Sequence, residues 1–126
     1  MVMAVLLASL AGCSGSGTGE SNGDSAAKDG DYVIGLDCPM TGVNASFGEQ
    51  LSYGAQMAVD EINDAGGING KTLALSVQDD KSDPKEAATI ATKFVADDSI
   101  VASIGYYNSS CGLSALPIIN EGKLVT

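Results

Sequence analysis

The sequence predicts an α/β fold built on a parallel, doubly wound sheet. Short apolar runs rich in β-forming residues alternate with longer segments whose apolar residues recur at helical spacing. Their order over residues 32–126 is β-α-β-α-β-α-β, and such alternation indicates a parallel sheet with helices on both faces. Ligands bind such sheets at the carboxyl ends of the strands. We therefore expect the loops at 38–48, 78–84 and 105–110 to meet there and form the site.

Two strands and the helix between them account for the first part of this fold. The apolar run YVIGL, from Tyr32 to Leu36, is bounded by aspartates and predicts a buried strand. A loop over 38–48 follows, marked by proline, asparagine and glycine. The helix is expected from Glu49 to Ala65, and alternation from Leu73 to Val77 predicts the second strand. The apolar face of this helix comprises Leu51, Ala55, Ala58, Val59 and Ile62.

A polar loop, QDDKSDP, leads into the second half of the fold. Asp83 is expected to cap a second helix that has Pro84 in its first turn. A third strand is predicted at 99–105, a third helix from Ser110 to about Glu121, and the start of a fourth strand at 123–126. Because no helix follows to cover that last strand, we expect the chain to be the truncated front portion of a longer protein. The inner face of the second helix comprises Ala87, Ile90, Ala91, Phe94 and Val95.

Composition and charge exclude several functions. The chain has 6 basic and 16 acidic residues and a formal net charge of −10, which would repel nucleic acid and anionic lipid. It has no histidine, hence no Ser-His-Asp triad and no histidine-ligated metal, and its three cysteines form no CxxC pair. We predict no enzyme activity, no metal and no cofactor. Asp79 and Asp80 are interpreted as turn and cap residues on a solvated loop rather than as a metal or acid–base pair.

The N-terminal residues, MVMAVLLASLAGC, predict export. Val2 to Leu10 is an apolar run too short to span a bilayer, as in a signal peptide. Leu10 to Cys13 resembles the lipobox of bacterial lipoproteins, although no basic residue precedes the run. That resemblance implies a signal peptide over 1–13 and a lipid on Cys13; a buried helix is the alternative. Residues 14–31 are almost wholly polar and predict a flexible linker.

Five motifs in residues 32–126 resemble those of one known family. They are Pro39 to Gly42, Phe47-Gly48, Gly54 to Gly70 ending in INDAGGING, the DDKSDP loop at 79–84, and IGYYNSS at 104–110. Together they are similar to the first lobe of the periplasmic binding proteins of branched-chain amino acid ABC transporters. The arrangement is specific, because an INxxGGIxG pattern followed by DDxxDP is rarely met by chance.

The resemblance implies a fold, a function and a location. Residues 32–126 would be a partial N-terminal lobe of a type I periplasmic-binding-protein fold. The complete protein would be a hinge-closing, non-catalytic receptor outside the cytoplasm, held on the membrane by its lipid. It would capture an amino acid, branched-chain or similar, and deliver it to an ABC transporter permease. An extracellular sensing domain of a receptor and an amide- or urea-binding member of the family remain alternatives.

The candidate ligand-binding residues follow the third predicted strand. Ser109 and Ser110 are near a helix N-terminus, whose N–H groups and dipole suit a carboxylate, and one of them is expected to cap that helix. The resemblance implies that Ser109 contacts the α-carboxylate, that Ser110 caps or shares the contact, and that Tyr107 and Asn108 are backbone neighbours. It also matches Phe47 to an aromatic residue that lines the family's pocket.

Cys38 and Cys111 are expected in loops at the carboxyl ends of strands. An exported protein can oxidise such a pair, so a disulfide between them is one alternative and two free thiols are the other. Some relatives bridge the loops after the second and third strands instead. Ser82 and Asn108 occupy those places here, so that bridge is not expected.

Overall fold

The computed structural model describes residues 31–126, in which strands and helices alternate. This order and the parallel sheet confirm the predicted α/β fold. The predicted signal peptide at 1–13 and all but the last residue of the predicted linker at 14–31 lie outside the described residues. The elements are β1 (Tyr32–Cys38), α1 (Ala45–Asp64), β2 (Leu73–Asp79), α2 (Pro84–Ala96), β3 (Ile100–Ile104) and α3 (Ser109–Glu121).

The central strand of the sheet is β1, which pairs in parallel with β2 on one side and with β3 on the other. Leu36 is opposite both Val77 and Ile104, so the three carboxyl ends lie side by side. Beyond β3, Val125 forms a single parallel bridge, and its carbonyl accepts a hydrogen bond from Ser103 N at 2.8 Å. Within residues 31–126, the predicted fourth strand is represented by this bridge.

Helices cover both faces of the sheet. On one face, α2 and α3 enclose a core in which Phe94 is fully buried against Gly35 of β1. A Cβ at Gly35 would lie 2.7 Å from the Phe94 ring, so the ring can pack on the strand only because no side chain is there. On the other face, Val59 of α1 packs against Leu36 and its neighbours. The first core comprises Val33, Ala74, Ala87, Ile90, Ala91, Phe94, Ile100, Cys111, Ala115 and Ile119.

The helix ends agree with the sequence in one case and differ in another. Asp83 caps α2 as predicted: its Oδ1 accepts a hydrogen bond from Lys85 N at 2.8 Å, and Pro84 is in the first turn. The predicted start of α1 at Glu49 is wrong, because the helix begins one turn earlier, at Ala45. Gly48 belongs to that first turn rather than to a loop, because its lack of a side chain lets α1 pass against Pro39.

No helix in residues 31–126 combines the length and the apolar character that a membrane span requires.

Candidate functional site

The β1–α1 and β2–α2 loops are joined at the carboxyl edge of the sheet by Asp79, the last residue of β2. Its Oδ1 accepts hydrogen bonds from Met40 N at 2.8 Å and Thr41 N at 3.2 Å, and its Oδ2 accepts one from Thr41 Oγ1 at 2.6 Å. Asn44 Nδ2 donates to Ser82 Oγ at 2.9 Å and adds a second tie. These contacts confirm that the two loops meet, and they fix the segment that leads into α1.

The ionisation of Asp79 reflects these contacts. Partial burial raises the pKa of Asp79, but hydrogen bonds from the Thr41 hydroxyl and from the N–H groups of Lys81, Met40 and Thr41 outweigh burial and hold the pKa below its usual value. Asp79 is therefore a carboxylate at neutral pH and acts as an acceptor only.

Replacing Asp79 by alanine should loosen the β1–α1 loop. We expect the amides of Met40 and Thr41 to exchange hydrogen faster, and the free energy of unfolding to fall by about 1–3 kcal/mol, because several donors lose a charged acceptor. Native-state hydrogen exchange and urea unfolding measure both. Asp97→Ala is the matched control, since Asp97 also accepts from a backbone N–H and a hydroxyl, both of Ser99, at 2.9 and 2.6 Å. Unchanged exchange at Met40 would contradict this role of Asp79.

Phe47 and Tyr107 are brought together by the fold. Phe47 is in the first turn of α1 and Tyr107 is in the loop between β3 and α3, yet their rings stack with centroids 4.8 Å apart and planes 18° apart. Phe47 is 45% exposed and Tyr107 is 40% exposed, so part of the pair faces solvent. Tyr107 was predicted only as a backbone neighbour of the site. In the structure, its side chain forms half of an apolar platform at the carboxyl edge.

The N-terminus of α3 is next to this platform. Asn108 is the N-cap residue, and its carbonyl accepts hydrogen bonds from Cys111 N at 3.0 Å and Gly112 N at 3.1 Å. Ser109 and Ser110 are the first two residues of the helix and both are exposed. The expectation that one of these serines caps α3 is therefore wrong, because the cap precedes the first helical residue.

Two aspartates at the same edge are buried, and the sequence did not predict the burial of either one. Asp37 lies within β1, which continues to Cys38 beyond its predicted end, and its side chain is 1% exposed. Asp80 is fully buried, so its interpretation as part of a solvated loop is wrong. Its Oδ1 accepts from Ser82 N at 2.8 Å, which makes it a turn residue with an interior carboxylate. The two-residue period of β1, which places Asp37 on the same face as Val33 and Gly35, was the available signal.

The ionisation of Asp37 is strongly shifted. Burial first, and then the charges of Asp80 and Asp79, raise the pKa of Asp37 from 3.8 to about 8. Neither oxygen of the Asp37 carboxyl group has a hydrogen-bond partner, nor does Asp80 Oδ2. Asp37 thus has the environment of a neutral carboxylic acid at neutral pH.

Cys38 and Cys111 are both buried free thiols in the structure. Cys38 belongs to the core under α1, with its Sγ 3.7 Å from the Gly48 carbonyl oxygen, whereas Cys111 belongs to the core under α2 and α3. The sheet lies between the two cores, so the suggested disulfide does not form. Burial is the main cause that raises the pKa of Cys38 to about 12 and that of Cys111 to about 11. Both thiols are consequently protonated at neutral pH.

Known proteins share this fold and these motifs. Residues 31–126 match the sequence profile of the periplasmic binding protein family. The chain belongs to this family. It is a family of substrate-binding proteins rather than enzymes, and membership indicates a location outside the cytoplasm.

Several relatives are named for the amino acids that they bind. Over 95 residues, the chain is 41% identical to Leu/Ile/Val-binding protein homolog 1 of Brucella abortus and covers 25% of it, using 75% of its own length. It is 48% identical over 95 residues to a Leu/Ile/Val-binding protein of Rhizobium johnstonii and covers 26% of that protein with 75% of itself. The chain thus spans about a quarter of the length of the curated relatives that it matches.

Solved structures give the same result for the fold. The branched-chain amino acid transporter substrate-binding protein LivJ of Streptococcus pneumoniae, in complex with isoleucine, has a TM-score of 0.70 and 34% identity, over 74% of this chain and 27% of LivJ. An ABC transporter substrate-binding protein of Desulfitobacterium hafniense, in complex with Leu, has a TM-score of 0.68 and 33% identity, over 75% of this chain and 27% of that protein. The predicted first lobe of a type I periplasmic-binding-protein fold is confirmed.

Proposed function

We propose that the full-length protein captures a branched-chain amino acid, such as leucine or isoleucine, and delivers it to an ABC importer. The observation that carries the proposal is the placement of the exposed Ser109 and Ser110, at the start of α3, beside the stacked rings of Phe47 and Tyr107. A helix N-terminus and an apolar platform side by side suit a ligand that has a carboxylate at one end and an aliphatic side chain at the other.

The polar half of this site is the first turn of α3. The first N–H groups of a helix have no partner within the helix, and the helix dipole favours a negative charge there. We assign the Ser109 hydroxyl and these N–H groups to the α-carboxylate, with Ser110 adjacent and Asn108 as the cap that orients the turn. The lobe has no histidine and few basic residues, so backbone donors and hydroxyls are well suited to bind the anion.

The apolar half is the Phe47–Tyr107 pair. Its partly exposed rings offer carbon surface to an aliphatic side chain, and burial of that surface contributes about 25 cal/mol per Å². The hydrogen bonds of Asp79 to Met40 and Thr41 hold the segment before α1, and thereby the position of Phe47. Relatives named for leucine, isoleucine and valine support the choice of ligand class.

Isothermal titration calorimetry of the full-length protein tests the ligand class. L-leucine and L-isoleucine should bind, whereas urea and L-glutamate should bind much more weakly. Tight binding of urea or of a simple amide with no response to leucine would support the amide- or urea-binding alternative and overturn the assignment of the aromatic platform.

Uptake of labelled leucine tests the transport role. Cells that lack the gene should import less leucine, and the wild-type gene should restore uptake. Binding of leucine without any change in uptake would favour the alternative of a receptor's sensing domain.

We further propose that Cys13, which lies outside the described residues, carries a lipid that anchors the protein. Cys13→Ser should move the protein from the membrane fraction to the soluble or secreted fraction and abolish labelling with a fatty-acid probe. Stable anchoring requires more than one acyl chain on the lipid, because each buried CH₂ contributes about 0.8 kcal/mol and a single chain binds the membrane only reversibly. Ser14→Ala is the matched control and should remain in the membrane fraction. Retention of the Cys13→Ser protein on the membrane would exclude this anchor.

A further inference from the structure

We propose that Asp37 is a positioning residue that remains protonated in the folded lobe and supports the β3–α3 loop, which carries the ligand contacts. The inference rests on the proposed function for its effect on binding, whereas the protonation of Asp37 stands on the fold alone. The observations are a cluster of buried acidic groups at the carboxyl edge and the close approach of the loop to Asp37.

The carboxyl group of Asp37 is buried and unpaired. Asp37 is 1% exposed, and neither of its oxygens has a hydrogen-bond partner; the same is true of Oδ2 of the fully buried Asp80. Removing a carboxylate from water without a partner is very unfavourable, and such a group normally takes up a proton instead. A protonated Asp37 carries no charge, and its carboxyl group gains an O–H donor.

The titratable groups around Asp37 are acidic. These groups are Asp79 and Asp80 at the end of β2, Tyr106 before α3, Cys111 in α3 and Cys38 in β1. The charges of Asp80 and Asp79 act on Asp37. The basic residues that follow Asp80 in the sequence, Lys81 and Lys85, are exposed. Within residues 31–126, no three carboxylate or thiol groups converge as metal ligands. A proton is therefore the species that best neutralises Asp37.

The loop that leads to the candidate ligand site lies next to Asp37. A Cβ at Gly105 would lie 2.9 Å from the Asp37 carbonyl oxygen and 3.5 Å from its Cβ, so the loop after β3 begins against the backbone and Cβ of Asp37. The next residue, Tyr106, has a buried hydroxyl without a partner, and its ring packs near Gly112 of α3. Burial, with the charges of Asp37 and Asp80, raises the pKa of Tyr106 to about 12. Ionisation of Asp37 would place an uncompensated charge beneath the loop that leads to Ser109.

The dependence on pH follows from these positions. The pKa of Asp37 is 3.8 in the absence of the fold and about 8 within it, so the folded state holds one more proton than the unfolded state between these values. The stabilising effect of protonation is complete below pH 4 and is lost progressively as the pH rises through 8. Between about pH 4 and pH 8, Asp37 alone raises the equilibrium constant for unfolding about tenfold per pH unit.

Asp37→Asn in the full-length protein provides the test, because asparagine keeps the shape of a neutral aspartic acid at every pH. In urea unfolding from pH 5 to pH 7, the equilibrium constant for unfolding should rise about tenfold more per pH unit in the wild type than in Asp37→Asn. The affinity for L-leucine should fall at least threefold more between pH 6 and pH 9 in the wild type than in the variant. Asp97→Asn, an exposed aspartate that caps a turn away from this edge, should behave like the wild type.

The outcomes separate the parts of the proposal. Equal pH slopes for wild type and Asp37→Asn would show that Asp37 is ionised and would overturn the proposal. Unequal slopes with equal changes in leucine affinity would overturn the positioning role. Absence of leucine binding at any pH would reject the proposed function, while the unfolding slopes would still decide the protonation. If Asp37→Asn does not fold, a carbon-13 carboxyl titration of the wild type decides it, since a midpoint below pH 5 excludes a protonated Asp37.

Discussion

Replacing Ser109 by alanine in the full-length protein should weaken leucine binding by more than tenfold. Ser109 is the first residue of α3 and is exposed beside the Phe47–Tyr107 pair, where the proposed site holds the ligand carboxylate. A hydrogen bond to a charged group contributes about 1.5–3 kcal/mol, and each 1.4 kcal/mol is a tenfold change in affinity. Isothermal titration calorimetry measures the change directly.

The matched control for this experiment is Ser114→Ala. Ser114 is in the same helix, more than one turn further along, and has no role in the proposed site. We expect its variant to bind leucine as the wild type does. Equal affinity of the Ser109→Ala variant and the wild type would remove Ser109 from the site and would transfer the carboxylate contact to the backbone N–H groups of α3 or to Ser110.

Replacing Gly48 by alanine should lower the free energy of unfolding by about 1–3 kcal/mol. A Cβ at Gly48 would overlap the carbonyl oxygen of Pro39 and lie 3.2 Å from Met40 N, and these are backbone atoms that cannot rotate away. The first turn of α1 would have to move, together with the loop before it. Because Phe47 is the adjacent residue, its stacking on Tyr107 and the affinity for leucine should change as well.

Gly54→Ala in the same helix is a control with the opposite expected sign. Apart from its chain neighbours and the backbone of its own helix, no atom lies within 4 Å of the place where a Cβ at Gly54 would be, so alanine adds helix propensity without a clash. The free energy of unfolding should rise by about 0.5–1 kcal/mol. Urea unfolding of both variants measures these changes. If Gly48→Ala were as stable as Gly54→Ala, the proposed reason for glycine at position 48, the close packing of α1 on Pro39, would be contradicted.

The order of the elements could be predicted from the sequence because it depends on local signals. Two-residue and helical periodicities separate strands from helices, and Asp83 and Pro84 predict the start of α2 through interactions between residues close in the chain. Parallel pairing then follows from the alternation, and the meeting of the loops at the carboxyl edge follows from the pairing. Four of the five motifs that pointed to the family lie at or beside that edge, whereas Gly54 to Gly70 covers the second half of α1 and the turn before β2.

The details of the site depended on which groups pack across the sheet. The sequence identified Phe47 and Tyr107 separately, but their stacking joins residues 60 positions apart in the chain, which no local pattern predicts. Gly48 resembled a loop residue because glycine is common in turns; its role in a helix becomes visible only when Pro39 is seen against it. The cap of α3 similarly depended on where the helix begins.

The sequence by itself determined that this protein has an α/β lobe of the periplasmic binding protein family, because periodicity and loop motifs are local properties of the chain. Only the tertiary structure decided the burial of Asp37 and Asp80 and the separation of Cys38 from Cys111. The physical reason is that burial and distance are set by elements far apart in sequence. The same carboxyl group is an ordinary surface acid or a protonated interior one according to what covers it.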